Sequence, residues 1–197
     1  MKFPMMFLFA FLTVIVLAGC AKEPEQARPP QPSIAQGQGA QNGAGSNSVA
    51  GVAWSVPARW NEQPQRQMRV ATYGVPPATD GGNGGECAVF FFGSGQGGDV
   101  NANIDRWVGQ FEDAGSPKRS TKTVNGMDVT LVEVAGTYLA PSGPMMQSTG
   151  KLENHRLLGA IVGAPGGSVF FKFTGPADVI ASAEEEFHEM IGSIAKQ

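Results

Sequence analysis

The dipeptide Asn125-Gly126, set between β-rich stretches at 118–124 and about 127–139, constrains the fold of this chain more than any other feature. Asn-Gly favours a two-residue turn with both central residues at positive φ, and its twist matches that of paired strands. A chain with this signal near its centre is committed to antiparallel pairing there. Further strands are expected on either side of it. Residues 54–57 and 68–73 are short β-rich segments, the second of them alternating. Residues 86–92 are apolar on both faces, which predicts an interior strand. Residues 155–162 and 168–174 flank the turn-rich Gly163-Ala164-Pro165-Gly166-Gly167.

Two helices interrupt these strands. Val100, Ile104, Trp107, Val108 and Phe111 recur at helical spacing, with Asp99 placed to cap the first turn and Gly115 as the expected stop. A second helix opens at Gly175-Pro176, where proline is tolerated. Its predicted buried face is Ile180, Ala183, Phe187, Met190, Ile191 and Ile194, with Glu184, Glu185, Glu186 and Glu189 on the solvated side. Hairpin-connected strands with helices packed against them predict an α+β fold built on a largely antiparallel sheet.

The first 51 residues follow different rules. Lys2 precedes an uncharged apolar run over 3–17, and Ala18 and Gly19 lead into Cys20. A basic start, a short apolar stretch and small residues are the parts of an export signal, and the run is too short to span a bilayer comfortably. Leu17-Ala18-Gly19-Cys20 resembles the lipobox of bacterial lipoproteins. That resemblance implies removal of residues 1–19, lipid attachment at Cys20, and anchoring by acyl chains in the bilayer. Ala21 behind the cysteine, where an aspartate commonly retains such proteins in the inner membrane, implies the periplasmic face of the outer membrane. Residues 20–51 then hold Pro24, Pro29, Pro30 and Pro32, followed by Gln, Gly, Ala, Asn and Ser. This composition lacks the apolar surface needed to offset ordering entropy, so it is read as a disordered tether. Residues 52–197 are the expected globular domain.

Charge and motifs exclude several functions. The chain has 14 basic and 17 acidic residues; loss of Lys2 leaves 13 against 17, a formal charge of −4. That argues against nucleic acid as a partner, which needs a concentrated basic face. Gly93-x-Gly95-x-x-Gly98 lies between a strand and a helix, as in the dinucleotide fingerprint. Asp99 stands where a pyrophosphate would approach, however, and the strands that follow pair as hairpins, so no nucleotide is expected. His155 and His188 lack metal-ligand spacing, with only Glu153 or Glu184 as carboxylate help, so no metal and no cofactor is expected. No Gly-x-Ser-x-Gly elbow occurs. Cys87, within an apolar run, is read as a buried hydrophobe. The apolar-rich loop expected over 138–146 offers Tyr138, Met145 and Met146 as a partner-binding surface, since methionine adapts to irregular partners.

A set of local motifs carries a second resemblance. Trp54-Ser55-Val56-Pro57 with Trp60, Asn103-Ile104-Asp105-Arg106-Trp107, Leu157-Leu158-Gly159-Ala160-Ile161 and Phe170-Phe171-Lys172-Phe173-Thr174-Gly175-Pro176 together resemble uncharacterised bacterial lipoproteins with a PsbP-like domain. The resemblance covers Val52 to the C-terminus and implies an α/β/α sandwich. It carries no catalytic residue over. The function expected is a membrane-tethered, non-enzymatic binding or accessory domain of the cell envelope with an envelope protein as partner. The alternative is an envelope hydrolase whose site assembles only in three dimensions.

Overall fold

Alternation along two adjacent strands determines how the layers are built. The computed structural model describes residues 47–142 and 147–197. In chain order the elements are β1 (Ser48–Val49), β2 (Val52–Ala53), β3 (Asn61–Glu62), β4 (Ala71–Val75), β5 (Gly85–Phe91), α1 (Val100–Val108), β6 (Phe111–Glu112), β7 (Lys118–Val124), β8 (Met127–Ser142), β9 (Gln147–Ala164), β10 (Gly167–Pro176), α2 (Ala177–Gly192) and β11 (Ala195–Lys196). The large sheet has the order β3-β4-β5-β10-β9-β8-β6, with β7 also paired to β8, and every ladder is antiparallel. Strands β1, β2 and β11 form a small second sheet.

On β10, Val169, Phe171 and Phe173 enter one core and Phe170 the other; on β9, Leu158, Ala160 and Val162 oppose Leu157 and Ile161 in the same way. The first core takes Ile180, Ala183, Phe187, Met190 and Ile191 from α2, and the second takes Ile104 and Trp107 from α1. The two helices therefore lie on opposite faces, and the fold is an α+β sandwich with the sheet between them. This is the consequence of period 2 in strands with both faces apolar.

The Asn-Gly turn forms as the sequence predicts. Asn125 (φ 48°) and Gly126 (φ 75°) join β7 to β8, and Asn125 Nδ2 donates to the Ile194 carbonyl at 2.8 Å, tying the turn to the end of α2. Other boundaries differ from expectation. Residues 54–57 form no strand; the pairing is made just before them by Val52–Ala53, and Ser48–Val49 joins that ladder from within the segment read as tether. Trp54 and Trp60 instead pack edge-on and tilted onto Phe171 and Phe173, each pair 5.2 Å between ring centres. Trp54 Nε1 donates to the Tyr73 hydroxyl, and Trp60 Nε1 and Arg59 Nε donate to the Glu186 carboxylate. Glu186 is thus a clamp rather than a solvated residue. Burial pushes its carboxyl up, but the Arg59 and Trp60 hydrogen bonds more than offset this and hold it below the usual range.

The strand expected over 68–73 begins only at Ala71, because Met68 sits in a turn at φ 64°. Helix α1 stops at Gly109, well before Gly115. Phe111 leaves the helix to pair with Tyr138, and so reaches the same core from a strand. Finally, β8 runs on through Ser142 and β9 starts at Gln147, so most of the stretch expected to be a loop over 138–146 is strand. The pairing of Tyr138 with Leu152 and of Ser142 with Gln147 explains the extension: the hairpin keeps its ladder beyond two register shifts.

Candidate functional site

Helix α1 is nine residues long, about 13.5 Å at 1.5 Å per residue, and cannot cover one face of an eight-stranded sheet. It lies over β8 and β9, where Gly159 allows the Trp107 ring to rest on the sheet: a Cβ there would come within 2.5 Å of Trp107 Cζ3. The same face of β5 and β10 is left open beside the helix. A cavity of about 330 Å³ occupies this place, at the small end of the range for organic ligands.

Its floor is a cross-strand ladder. Glu86, Ala88 and Phe90 on β5 stand opposite Thr174, Lys172 and Phe170 on β10. Lys172 has Ala88 on one side and Gly159 on the other, so small neighbours leave its amine in a depression. Lys172 Nζ donates to Gln110 Oε1 at 2.6 Å and to the Tyr138 hydroxyl at 3.2 Å, and lies 5.3 Å from the centre of the Tyr138 ring. Both oxygens are neutral. Burial, helped by the nearby Arg69 and Arg106 and opposed by Glu86, lowers the Lys172 pKa to about 8. Burial also pushes the Tyr138 phenol up to about 12, with Glu86 adding to the shift and Arg69 opposing it.

The rim carries the remaining charges. Glu86 accepts from Arg69 at 2.7 Å and from Arg66 at 2.8 Å. Arg69 also donates to Thr72, which is buried beneath it, and lies over the Phe90 ring at 5.7 Å. Arg106, one turn from the end of α1, donates to Asn103 Oδ1. Asn103 is itself buried and donates to the carbonyls of Gly97 and Asp99. Phe90 stacks with Phe92, and Phe92 packs on Phe170. Phe92 remains 37% exposed at the mouth.

Tyr138 is a pocket residue, delivered by a strand instead of a loop; its ring stacks on His155 and packs against Phe111. Met145, Met146 and Cys20 lie outside the described residues. Cys87 is fully buried and free, its thiol pushed up mainly by burial. The glycine turn at 93–98 feeds Asp99, whose carboxylate accepts from the backbone of Asn101 and Ala102. That carboxylate occupies the helix N-terminus a phosphate would need. His188 lies on α2, across the sheet from His155, and Glu184 accepts from Arg156. Among the described residues no three His, Cys, Asp or Glu side chains gather as metal ligands.

No protein-family model matches the chain, and no curated protein does. Several solved structures are similar to it, two of them at 9% identity. One is a protein of unknown function from Pseudomonas aeruginosa, covering 68% of this chain and 87% of its own with a TM-score of 0.46. The other is cyanobacterial PsbP from Synechocystis, covering 80% of this chain and 99% of its own with a TM-score of 0.47.

Sequence reasoning passed over Lys172, Arg106, Arg69 and Glu86. One signal was present: Lys172 is a lone charge inside Val169-Phe170-Phe171-Lys172-Phe173, where the alternation demands a residue on the α1 face. A second cavity, about 300 Å³ beside α2, differs in kind. Each of its charged lining residues is already ion-paired: Glu133 with Lys118 and with Arg156 outside the lining, Glu184 with the same Arg156, and Arg119 with Asp105.

Proposed function

We propose that this chain is a membrane-tethered, non-enzymatic binding domain of the bacterial cell envelope, and that the pocket beside α1 is its binding site. The observation that carries the reading is that, among the described residues, Lys172 and Arg106 pair with neutral partners only, beside an aromatic lining. A half-buried cation such as Lys172 costs free energy when it lacks a counter-charge, and a ligand anion can supply one, with the exposed Arg106 at the rim as a second contact. The tethering half of the proposal rests on Leu17-Ala18-Gly19-Cys20 and on the Pro- and Gly-rich stretch behind it.

A hydrolase is the second reading, and one observation favours it. The lowered pKa of Lys172 leaves part of its amine neutral near pH 8, as a general base requires. Its hydrogen-bond partners, Gln110 and Tyr138, are suited to holding the amine in place; neither is an ordinary nucleophile.

The test places a photo-activated crosslinker at Phe92 in the lipidated chain within its own membranes. A discrete adduct that disappears in Arg106→Gln supports the binding reading. No adduct, together with turnover of an ester panel that Lys172→Met abolishes, replaces it with the hydrolase.

A further inference from the structure

Charge around the pocket is unbalanced in one direction. Among the described residues Arg69, Arg106 and Lys172 line it, against the single carboxylate of Glu86. Glu86 is already held by Arg69 and by Arg66 outside the cavity. Arg106 and Lys172 make no ion pair among the described residues; their partners are the neutral Asn103, Gln110 and Tyr138. The rest of the lining is largely apolar and aromatic, with Phe92 in contact with both Phe90 and Phe170, Trp107 closing the helix side, and Arg69 lying over the Phe90 ring. The pocket therefore offers cations and an aromatic surface within one small volume.

Resting on the reading of this pocket as a binding site, we propose that its ligand is a small amphiphilic organic acid. A single carboxylate sits between Lys172 and Arg106, and an aryl or short acyl body lies on Phe90, Phe92 and Phe170. Three features define this class. An anion supplies the counter-charge that Lys172 and Arg106 lack, and a guanidinium at the rim matches a carboxylate in shape as well as charge. The Arg66 and Arg69 grip on Glu86 shows the same face holding a carboxylate. A dianion would meet Glu86 with more repulsion than a monoanion, since Glu86 lies close enough to perturb the Lys172 amine. A cavity of about 330 Å³ admits a compact body.

The test uses the full chain in nanodiscs of phosphatidylcholine, a neutral bilayer, with empty discs subtracting partition into lipid. The probe is 3-phenylpropionate, compared with 3-phenylpropanol and 3-phenylpropylamine, and binding is read by saturation-transfer NMR and by tryptophan fluorescence from the Trp107 wall. The acid is expected to bind at least about tenfold more tightly than the alcohol, with the amine weakest, because a buried charge counts only when it is paired. Lys172→Met and the rim variant Arg106→Gln are each expected to cost about tenfold in acid affinity and to leave alcohol binding unchanged. Equal affinity for acid and alcohol, acid binding untouched by both variants, or a signal no larger than that of empty discs overturns the proposal. If the acid fails while the Phe92 adduct persists, the ligand class falls and the binding reading stands. If the adduct also fails, both fall.

Discussion

Lys172 carries a long amine into an aromatic depression and gives it two neutral oxygens in place of a carboxylate. Its pKa, about 8 in the folded chain against roughly 10.4 for an unfolded lysine, has a definite sign for stability. Between pH 8 and about 10.4 the unfolded chain binds the extra proton, so the Lys172 contribution to stability rises with pH across that window. Below pH 8 both states are protonated and the burial cost is fully present. Lys172→Met removes that cost and also the two hydrogen bonds. The variant is expected to be more stable than the parent by about 1 kcal/mol at pH 7. Near pH 10 the order reverses, since the parent then keeps the hydrogen bonds without the charge. Denaturant titrations of both proteins at pH 7 and pH 10 measure this directly, and a pH-independent difference would reject it. Above pH 10 both proteins lose stability together. The phenols of Tyr73 and Tyr138 hold their protons to about 12 when folded, and that contribution is lost as pH climbs from the unfolded value near 10.

At the scale of elements, the pocket exists because α1 is short and seated close. Trp107 is 5% exposed and belongs both to the core and to the pocket wall. Gly159 is what lets it sit there, since a Cβ would stand 2.5 Å from the Trp107 ring and 2.7 Å from Val132 Cγ1. Gly159→Ala is therefore expected to lift α1 from β9 and to cost about 1–3 kcal/mol, the usual range for overpacking a core. A chemical denaturation midpoint measures it. A loss below about 0.5 kcal/mol would mean that the helix slides without penalty. Across the sheet, α2 is restrained differently. Glu186 fastens the 54–60 segment to it through Arg59 and Trp60.

At the scale of the whole molecule, the proposed division is a lipidated cysteine, a tether and a folded body. Two or more acyl chains hold a protein on a membrane where one does so only marginally. Cys20→Ala is accordingly expected to abolish labelling by palmitate and to leave residues 1–19 uncleaved at this site. A wild-type chain that takes up no label would remove the anchor from the proposal and leave the pocket untouched.

The sequence alone determined what depends on neighbours along the chain: the Asn125-Gly126 hairpin, the Asp99 cap, the interior character of β5 and the buried face of α2. Each follows from local dihedral preference or from a periodicity of two or 3.6 residues. The pocket has no such local signature. Its cations come from β10, from α1 and from the turn before β4, and its one carboxylate from β5; only the β5–β10 register and the seat of α1 bring them together. The strand character of Tyr138 and the early end of α1 were hidden for the same reason. Phe111 and Tyr138 pair across 27 residues of chain, and a ladder between distant strands overrides the helical spacing and turn composition of either segment alone.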